Sequence, residues 1–170
     1  MTEGYRHRHT ARVVLLDPDD RVFLICYQAA RDIDPARPGF RAFWYTPGGG
    51  LEAGETHEQA AARELFEEVG VREAQVGACI ARRDSVNTFF QIPSFTHECY
   101  FPVRLPNAVV DTSMLAETER DPILDTRWWT LAELESTTEI LVPHQLVSLV
   151  RGFLRNELPG EGLTLAPERR

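Results

Sequence analysis

The stretch RELFEEVG, residues 63–70, brings four charged side chains into little more than one helical turn. Glu64, Glu67 and Glu68 stand at positions i, i+3 and i+4, so their carboxylates would share one face of a helix. Like charges at these spacings repel by about 0.2–0.5 kcal/mol per pair. A bound divalent cation would offset the repulsion, since Mg²⁺ and Mn²⁺ prefer oxygen ligands. The alternative is an ordinary solvated helix face.

The helix that carries these acids has start and stop signals on either side. Thr56 can act as the N-cap, and Gln59 three residues later would complete a capping box. Gly70 supplies a C-terminal stop. We expect the glutamates to face solvent and the opposite face to be buried. That buried face would consist of Ala62, Leu65, Phe66 and Val69.

Further strands and helices must position this helix. Apolar or alternating runs bounded by turn residues predict strands. These runs are a hairpin over residues 12–27 and strands over residues 42–46, 73–82, 94–105 and 127–129. A brief helix is predicted in TLAELEST and a longer one over residues 143–157. Strands alternating with helices favour an α/β fold with helices on both faces of a sheet.

Length and charge narrow the class of protein. The 170 residues fit one domain over residues 1–158, followed by a disordered tail over residues 159–170. A net charge of −8 argues against binding nucleic acid or anionic membrane through the overall field. We find neither a signal peptide nor an apolar run of the roughly 18 residues that a membrane span needs, so we expect a cytoplasmic protein. The cysteines lack disulfide or metal-ligand spacing and are expected to be buried free thiols: Cys26, Cys79 and Cys99.

The acidic helix belongs to a longer pattern, GGLEAGETHEQAAARELFEEVGV, residues 49–71. This segment resembles the Nudix box at every fixed position, and WYTPGGG before it and TRWWTLAEL after it are similar to family landmarks. The resemblance covers most of the chain. It implies a Nudix-type α/β/α sandwich with a mixed sheet, in which the box forms a loop–helix–loop. It also implies divalent-metal-dependent hydrolysis of a phosphoanhydride (P–O–P) bond in a nucleoside diphosphate linked to another moiety.

The resemblance assigns roles to individual residues of this chain. It implies that Mg²⁺ or Mn²⁺ would be held by the backbone carbonyl of Gly48 and the carboxylates of Glu64, Glu67 and Glu68. Arg63 and Glu55 would orient these carboxylates. Carboxylates suit this chemistry, because bound cations can neutralise two bridged phosphoryl groups and activate water.

The general base is expected outside the box. Glu117 and Glu119 lie in a long acidic loop, and a loop acid could approach the attacking water when substrate orders it. Glu98 lies on the polar side of the strand over residues 94–105 and would be prepositioned, although it could instead pair with Arg104. We expect Glu119 to be the base, with Glu98 as the second candidate.

Two other functions stay open. One is a Nudix-fold sensor that binds a nucleotide without turnover, and the other is an isoprenoid diphosphate isomerase. Some Nudix subfamilies are marked by a proline or a tyrosine beyond the box. The corresponding positions here hold Asn87 and Thr88, so these marks do not indicate the substrate. The expected partner is a nucleotide-type small molecule, without stable nucleic-acid or membrane binding. A homodimer is an open alternative, as relatives often dimerise.

Other conspicuous side chains are interpreted as structural. His97 lies among apolar neighbours and is expected in the core, whereas His7 and His9 are expected to be exposed in a mobile N-terminus. Trp128 and Trp129 would point to opposite faces of a strand, and we favour the core for both. The aromatic run of residues 43–45 poses the same choice between core and cleft, and a cleft role is open to one member: Phe43, Trp44 or Tyr45.

Overall fold

The structure is a computed structural model that describes residues 4–118 and 121–168. Within these residues there are nine strands and four helices. In chain order they are β1 (Arg6–Leu16), β2 (Val22–Gln28), β3 (Ala42–Tyr45), β4 (Gly48–Gly50), α1 (His57–Val69), β5 (Ala81–Asn87), β6 (Ser94–Arg104), α2 (Leu115–Thr118), β7 (Ile123–Trp129), α3 (Leu131–Ser136), β8 (Ile140–Val142), α4 (Leu146–Leu154) and β9 (Leu163–Leu165). None of these helices is long and apolar enough to cross a membrane.

The strands form a mixed sheet in the order β8-β3-β2-β1-β6-β5-β9, with β4 paired to β1 and β7 paired to β2. The pairs β1–β6, β3–β8 and β5–β9 are parallel. Strand β1 changes its partner along its length. Leu16 pairs with Val22 of β2, whereas Arg12 pairs with Gly48 of β4. The glycine-rich β4 therefore sits beside β1 where β2 has moved away.

Helices cover both faces of the sheet. On one face, Val13 of β1 belongs to a buried apolar cluster with Leu65 of α1. On the other face, Val14 belongs to a second cluster with Leu149 of α4. Burial on both faces explains why β1 ends in a continuous apolar run rather than in an alternating one. The predicted α/β/α sandwich with a mixed sheet is confirmed.

Helix α1 is capped as predicted. Thr56 accepts a hydrogen bond from the backbone of Gln59 at 3.2 Å, and the Gln59 side chain accepts one from the Thr56 backbone at 2.9 Å. Gly70 follows the last turn with a left-handed φ of 71°, and its N–H donates to the carbonyl oxygens of Leu65 and Phe66. The capping box and the glycine stop therefore set both ends of the helix.

The faces of α1 differ from the prediction. Glu64 and Glu68 are buried, whereas Phe66 is 47% exposed, so the expected division into an apolar buried face and an acidic exposed face is wrong for these residues. The reason is that α1 packs against β4 as well as β1. Glycines have no side chains, and this leaves room for carboxylates beside them.

The strand predicted over residues 73–82 is also misplaced, because β5 begins at Ala81. The antiparallel ladder between β5 and β6 runs from Asn87 opposite Ser94 to Ala81 opposite Tyr100. Continuing it would bring in Pro102, which has no N–H to donate. Residues 74–80 instead lack regular structure and pack apolar side chains against the α1 side of the core.

Both ends of the described chain are more regular than predicted. His7 and His9 are exposed, as expected, but they lie within β1 and pair with β6 rather than in a mobile segment. Residues 163–165, expected within a disordered tail, form β9 and pair with β5. Beyond β9, Glu168 accepts a hydrogen bond from buried Arg83. Strand pairing and apolar packing against the second cluster hold this segment, together with the contact of Glu168, and composition does not reveal them.

The aromatic residues follow the structural interpretation. Trp129 is buried against α3 and α4, and Trp128 packs partly buried on the opposite core. The run of residues 43–45 is buried as well. His97 differs, since its side chain keeps 30% exposure and contacts Asp84 and His7 at the surface rather than lying in the core.

Replacing Thr56 by Ala should lower the free energy of unfolding by about 1 kcal/mol, because one cap hydrogen bond is lost. Urea unfolding would measure this. Thr130→Ala is a matched control, since Thr130 forms the same capping box with Glu133 at the start of α3, away from the glycine strand. Both variants should keep metal affinity. A large loss of affinity in Thr56→Ala with unchanged unfolding would contradict a purely structural role for that residue.

Candidate active site

A cavity of about 380 Å³ lies where β1 and β2 separate. Its wall combines the glycines of β4, acids of α1 and basic residues of β1. The lining residues are Arg6, Arg8, Arg12, Tyr27, Gly48, Gly49, Gly50, Glu64, Glu67, Phe90, Gln91, Ile92 and Asp121. The structure therefore brings three of the residues implied as metal ligands, Gly48, Glu64 and Glu67, to one cavity.

Glu68, the fourth residue implied as a metal ligand, contacts the cavity through Gly48. The backbone N–H of Gly48 donates to Glu68 at 2.8 Å, and Glu68 is completely buried. The Gly48 carbonyl oxygen accepts from Arg12 Nη1 at 3.0 Å. A carbonyl oxygen has two lone pairs, so the contact with Arg12 leaves one for a cation. Gly48 has φ +138°, and a side chain there would overlap the Ala11 carbonyl, so glycine is required at this position.

Gly49 and Glu64 fit together closely. A methyl group at Gly49 would occupy the space that the Glu64 carboxylate fills. The glycine therefore allows a helix carboxylate to lie directly against the backbone of β4. Burial raises the pKa of Glu64, and the neighbouring Arg63 opposes that rise. Glu64 is thus an acid that benefits from any cation placed beside it.

Arg63 donates hydrogen bonds to three glutamates of the box. Its Nε and Nη2 bind both carboxylate oxygens of Glu55 at 2.8 and 2.9 Å, and Nη2 also donates to the Gly50 carbonyl at 2.8 Å. Its Nη1 donates to Glu64 at 3.0 Å and to Glu67 at 3.2 Å. These hydrogen bonds lower the pKa of Glu55. Arg63 and Glu55 therefore lie where orienting residues should lie, and that role stays a prediction.

The donor set suits a hard divalent cation. It consists of carboxylate oxygens and a backbone carbonyl oxygen, which are the ligands Mg²⁺ and Mn²⁺ prefer. Two of these carboxylates, Glu64 and Glu67, already converge on one positively charged nitrogen of Arg63. Over residues 4–118 and 121–168, however, no three acidic, histidine or cysteine side chains form a ready-made metal cluster. Glu67, whose side chain is 37% exposed, is the candidate ligand most free to rearrange.

Glu98 lies inside the protein rather than in the cavity. Its side chain is 0% exposed and pairs with Arg83 at 2.6 Å and Arg12 at 3.6 Å, while Tyr45 and Tyr100 donate to it. Burial alone would raise the pKa of Glu98, but the two guanidinium groups hold it below its usual range. This placement gives the carboxylate no access to solvent and argues against a general base.

The other base candidates have different outcomes. Glu117 is exposed on α2, and Glu119 lies outside the described residues, so its role stays a prediction. The alternative pairing of Glu98 with Arg104 is not formed, because Arg104 binds Asp20 at 2.7 Å.

Three arginines of the cavity were missed by the sequence reasoning. Arg6, Arg8 and Arg12 all stand at even positions of β1, and the period of two places them on one face of the strand. The signal is present in RHRHTAR. The predicted hairpin begins at residue 12, so Arg6 and Arg8 were expected in a mobile N-terminus rather than on the same strand as Arg12.

A family model described as the NUDIX domain matches residues 6–150 of this chain. The chain belongs to the Nudix family. The family match confirms the predicted class, a Nudix-type pyrophosphohydrolase, and leaves the metal and the substrate undetermined. An RNA pyrophosphohydrolase of Caulobacter vibrioides is 27% identical over 172 residues, which cover 91% of each chain.

Solved Nudix structures share this fold. A MutT protein of Methanosarcina mazei has a TM-score of 0.65 at 15% identity and covers 90% of this chain and 96% of its own. The dihydroneopterin triphosphate pyrophosphohydrolase of E. coli has a TM-score of 0.60 at 20% identity, with 89% and 98% covered. At these identities the likeness establishes the fold alone.

Gly49→Ala should displace the Glu64 carboxylate and weaken Mn²⁺ binding at least about tenfold, since one ligand of the proposed set moves. The fold should survive, because the displaced atoms are the far end of a side chain. Calorimetric titration with Mn²⁺, together with thermal unfolding, would measure both effects.

Gly54→Ala is the matched control for Gly49→Ala. Its φ of +78° strains the backbone by about 1–2 kcal/mol, but the added methyl group contacts nothing. Unchanged Mn²⁺ affinity in Gly49→Ala would remove Glu64 from the ligand set.

Proposed function

We propose that this Nudix protein hydrolyses the P–O–P bond of a nucleoside diphosphate linked to another moiety, with Mg²⁺ or Mn²⁺ held by Gly48, Glu64, Glu67 and Glu68. One observation carries this proposal: the glycine strand and the box helix meet at a cavity that also contains arginines. The carboxylates proposed to bind the cation and the arginines proposed to bind phosphate therefore line the same cavity. The expected cytoplasmic location and the open homodimer alternative stay predictions.

The roles of the residues follow from their positions. The cation would supply charge neutralisation at the bridged phosphoryl groups and lower the pKa of a coordinated water. Glu64 and Glu68 are held against β4 and would fix the position of the ligand set, while Glu67 faces the cavity. Arg6 and Arg8 line the same cavity and would bind phosphate oxygens of the substrate.

Arg63 would keep the carboxylates oriented during the reaction. Its fork is fixed by Glu55 and by the Gly50 carbonyl, so its Nη1 remains beside Glu64 and Glu67. Orienting contacts of this kind typically change metal affinity or activity by about 10–100-fold when they are removed.

A second candidate substrate is an RNA whose 5′ end carries a P–O–P bond. The relative of Caulobacter vibrioides is named an RNA pyrophosphohydrolase and matches along 91% of both chains. The arginines of β1 place positively charged groups in this cavity, beside Glu64, Glu67 and Asp121, although the chain has a net charge of −8. A single terminal phosphate chain could bind there without the extended basic surface that stable nucleic-acid binding needs.

A substrate panel would distinguish these functions. Nucleoside triphosphates, nucleotide sugars, dinucleotides, a 5′-triphosphorylated RNA oligonucleotide and an isoprenoid diphosphate would be compared with Mg²⁺ and with Mn²⁺. We expect phosphate-containing products from at least one nucleotide compound. Binding without turnover across the panel would favour a sensor. A rearranged isoprenoid diphosphate with its P–O–P bond intact would favour an isomerase.

Glu68→Gln should abolish metal-dependent turnover, with the activation barrier rising by on the order of several kcal/mol, because a ligand charge is lost. A chelator should stop the wild-type enzyme, and added Mg²⁺ or Mn²⁺ should restore it. Steady-state rates on the best panel substrate would measure this. Glu73→Gln removes the same charge from an exposed position outside the cavity and serves as control. Near-wild-type turnover in Glu68→Gln would refute the assignment.

The base assignment is tested by comparing Glu98→Gln with Glu119→Gln. Glu98→Gln should lower the free energy of unfolding by about 3–5 kcal/mol, since it breaks a buried ion pair, and the kcat of the folded fraction should fall by less than the roughly 10²–10⁴-fold that loss of a base produces. Glu119→Gln should reduce kcat by about 10²–10⁴-fold with little change in KM if Glu119 is the base. Rates at saturating Mg²⁺ would be normalised to the folded fraction.

Glu117→Gln serves as control for these base variants, because it removes an exposed acid of α2 two positions before Glu119. Its kcat should stay within a few-fold of wild type. A fall of about 10²-fold or more in the kcat of folded Glu98→Gln, with Mn²⁺ affinity unchanged, would show that the buried placement of Glu98 does not prevent a catalytic role.

A further inference from the structure

Four of the five histidines of the chain gather around the first half of β1. His7 and His9 lie on β1, His97 lies on β6, and His57 begins α1. Strand pairing sets His9 opposite His97, and His97 opposite Asp84 of β5. The ring centroids of His9 lie 4.7 Å from those of His97 and 6.0 Å from those of His57. Three adjacent strands therefore bring imidazole rings and one carboxylate together.

Two ring nitrogens of this cluster face each other. His7 Nδ1 lies 3.1 Å from His97 Nε2. Zn²⁺ holds imidazole nitrogens at about 2.0–2.1 Å, so two such nitrogens at a tetrahedral angle lie about 3.3–3.4 Å apart. His7 is exposed and the His97 side chain is 30% exposed, so both rings have room to tilt around an ion. The pair therefore has nearly the spacing of two ligands of one transition-metal ion.

Asp84 determines which nitrogen of His97 is available. Its Oδ1 lies 2.9 Å from His97 Nδ1. An ionised carboxylate only accepts hydrogen bonds, so His97 Nδ1 carries the proton and Nε2 of the neutral ring keeps a lone pair. That lone pair accepts a hydrogen bond from His7 Nδ1, and it is the one that a metal ion would bind. A carboxylate behind a metal-bound histidine fixes the ring in this way and raises its basicity.

We propose that His7 Nδ1 and His97 Nε2 bind a transition-metal ion such as Zn²⁺ or Cu²⁺, with Asp84 supporting His97. Imidazole nitrogens suit these ions, whereas Mg²⁺ prefers oxygen. On binding, His7 changes its tautomer: Nδ1 gives its proton to solvent and Nε2 takes one up, so both ligand nitrogens present lone pairs. In the part of the chain that the structure describes, no third histidine, cysteine or acid is placed to complete a metal cluster. Water would therefore fill the remaining coordination positions.

This histidine site differs from the proposed hydrolytic site in its donor atoms and its place. The ligands assigned in the box are all oxygen atoms, whereas the histidine site supplies nitrogen. His7 stands between Arg6 and Arg8 in β1, and these two neighbours line the cavity whereas His7 does not. An ion shared with His97 would cross-link β1 to β6 in the folded chain. Because this geometry exists only in the folded state, the ion should raise the melting temperature.

The test uses the full chain without an affinity tag, near neutral pH and in excess Mg²⁺ to occupy oxygen sites. Calorimetric titration with Zn²⁺ should show binding that persists in excess Mg²⁺, and thermal unfolding should show a rise in melting temperature as Zn²⁺ is added. With one equivalent of Cu²⁺, electron paramagnetic resonance should show coupling to two imidazole nitrogens. That nitrogen signal cannot come from the oxygen ligands of the proposed hydrolytic site.

Variants of the two ligands and of Asp84 test the assigned roles. His7→Gln and His97→Gln should each lower Zn²⁺ affinity at least about tenfold and remove one nitrogen from the Cu²⁺ spectrum. Asp84→Ala should lower the affinity by about 10–100-fold and leave both nitrogens in the spectrum, because it acts through His97. Thermal unfolding without Zn²⁺ checks that each variant is folded, and exposed His7 is the position at which a substitution disturbs the sheet least.

Two other histidines serve as controls. His144→Gln should bind like the wild type, since His144 lies outside the cluster and contacts Glu168. His9→Gln should keep both nitrogens in the Cu²⁺ spectrum. The ring planes of His9 and His97 lie 19° apart in a stack, so the nitrogens of His9 do not point at the shared ion.

Three outcomes would overturn the proposal. They are a Cu²⁺ spectrum without nitrogen coupling, Zn²⁺ affinity unchanged in both His7→Gln and His97→Gln, and loss of binding in His9→Gln or His144→Gln with binding retained in His7→Gln. None of these readouts uses hydrolysis, so the histidine site and the proposed hydrolase function can fail independently.

Discussion

Arg12 is the side chain on which the position of the glycine strand depends. Its guanidinium lies 3.8 Å from the centre of the Tyr45 ring, pairs with Glu98 at 3.6 Å and donates to the Gly48 carbonyl at 3.0 Å. A buried guanidinium is tolerable only when it is paired, and Glu98, which also binds Arg83, supplies the compensating charge. The carbonyl assigned to the cation is thus placed by an ion-pair network inside the sheet. Stability of the sheet and position of the proposed site depend on the same charges.

The glycines of β4 make the second connection between fold and site. Gly48 lets the strand approach β1 closely, and Gly49 leaves the volume that the Glu64 carboxylate fills. Burying a carboxylate against apolar side chains is unfavourable. Here the burial is tolerated, because Glu68 accepts a hydrogen bond from the Gly48 N–H and Glu64 accepts one from the Arg63 guanidinium. The acids of α1 are therefore buried because the strand beside them has no side chains. The glycines and the glutamates of the box act as one structural unit.

The sequence predicted the features that nearby residues determine, and it missed the features that depend on pairing between strands distant in sequence. The ends of α1 follow from Thr56, Gln59 and Gly70, whose capping bonds span only a few residues. The start of β5 depends on the register with β6 and on the missing N–H of Pro102. Within the site, the box identified the acids, while the place of Arg6 and Arg8 beside Arg12 became visible only when the strand was found to begin at Arg6.

Arg63 explains how three clustered carboxylates are tolerated before any cation binds. Glu64 and Glu67 share its Nη1, so their mutual repulsion is already offset by a positive charge. The position of the Arg63 guanidinium does not depend on Glu64 and Glu67, because Glu55 and the Gly50 carbonyl bind its other nitrogens at 2.8–2.9 Å. Under the proposed function, a cation competes with a single guanidinium nitrogen and leaves the rest of this network intact. Binding then needs rearrangement of Glu67 rather than of the helix, which is why a preformed cluster of three acids is not required.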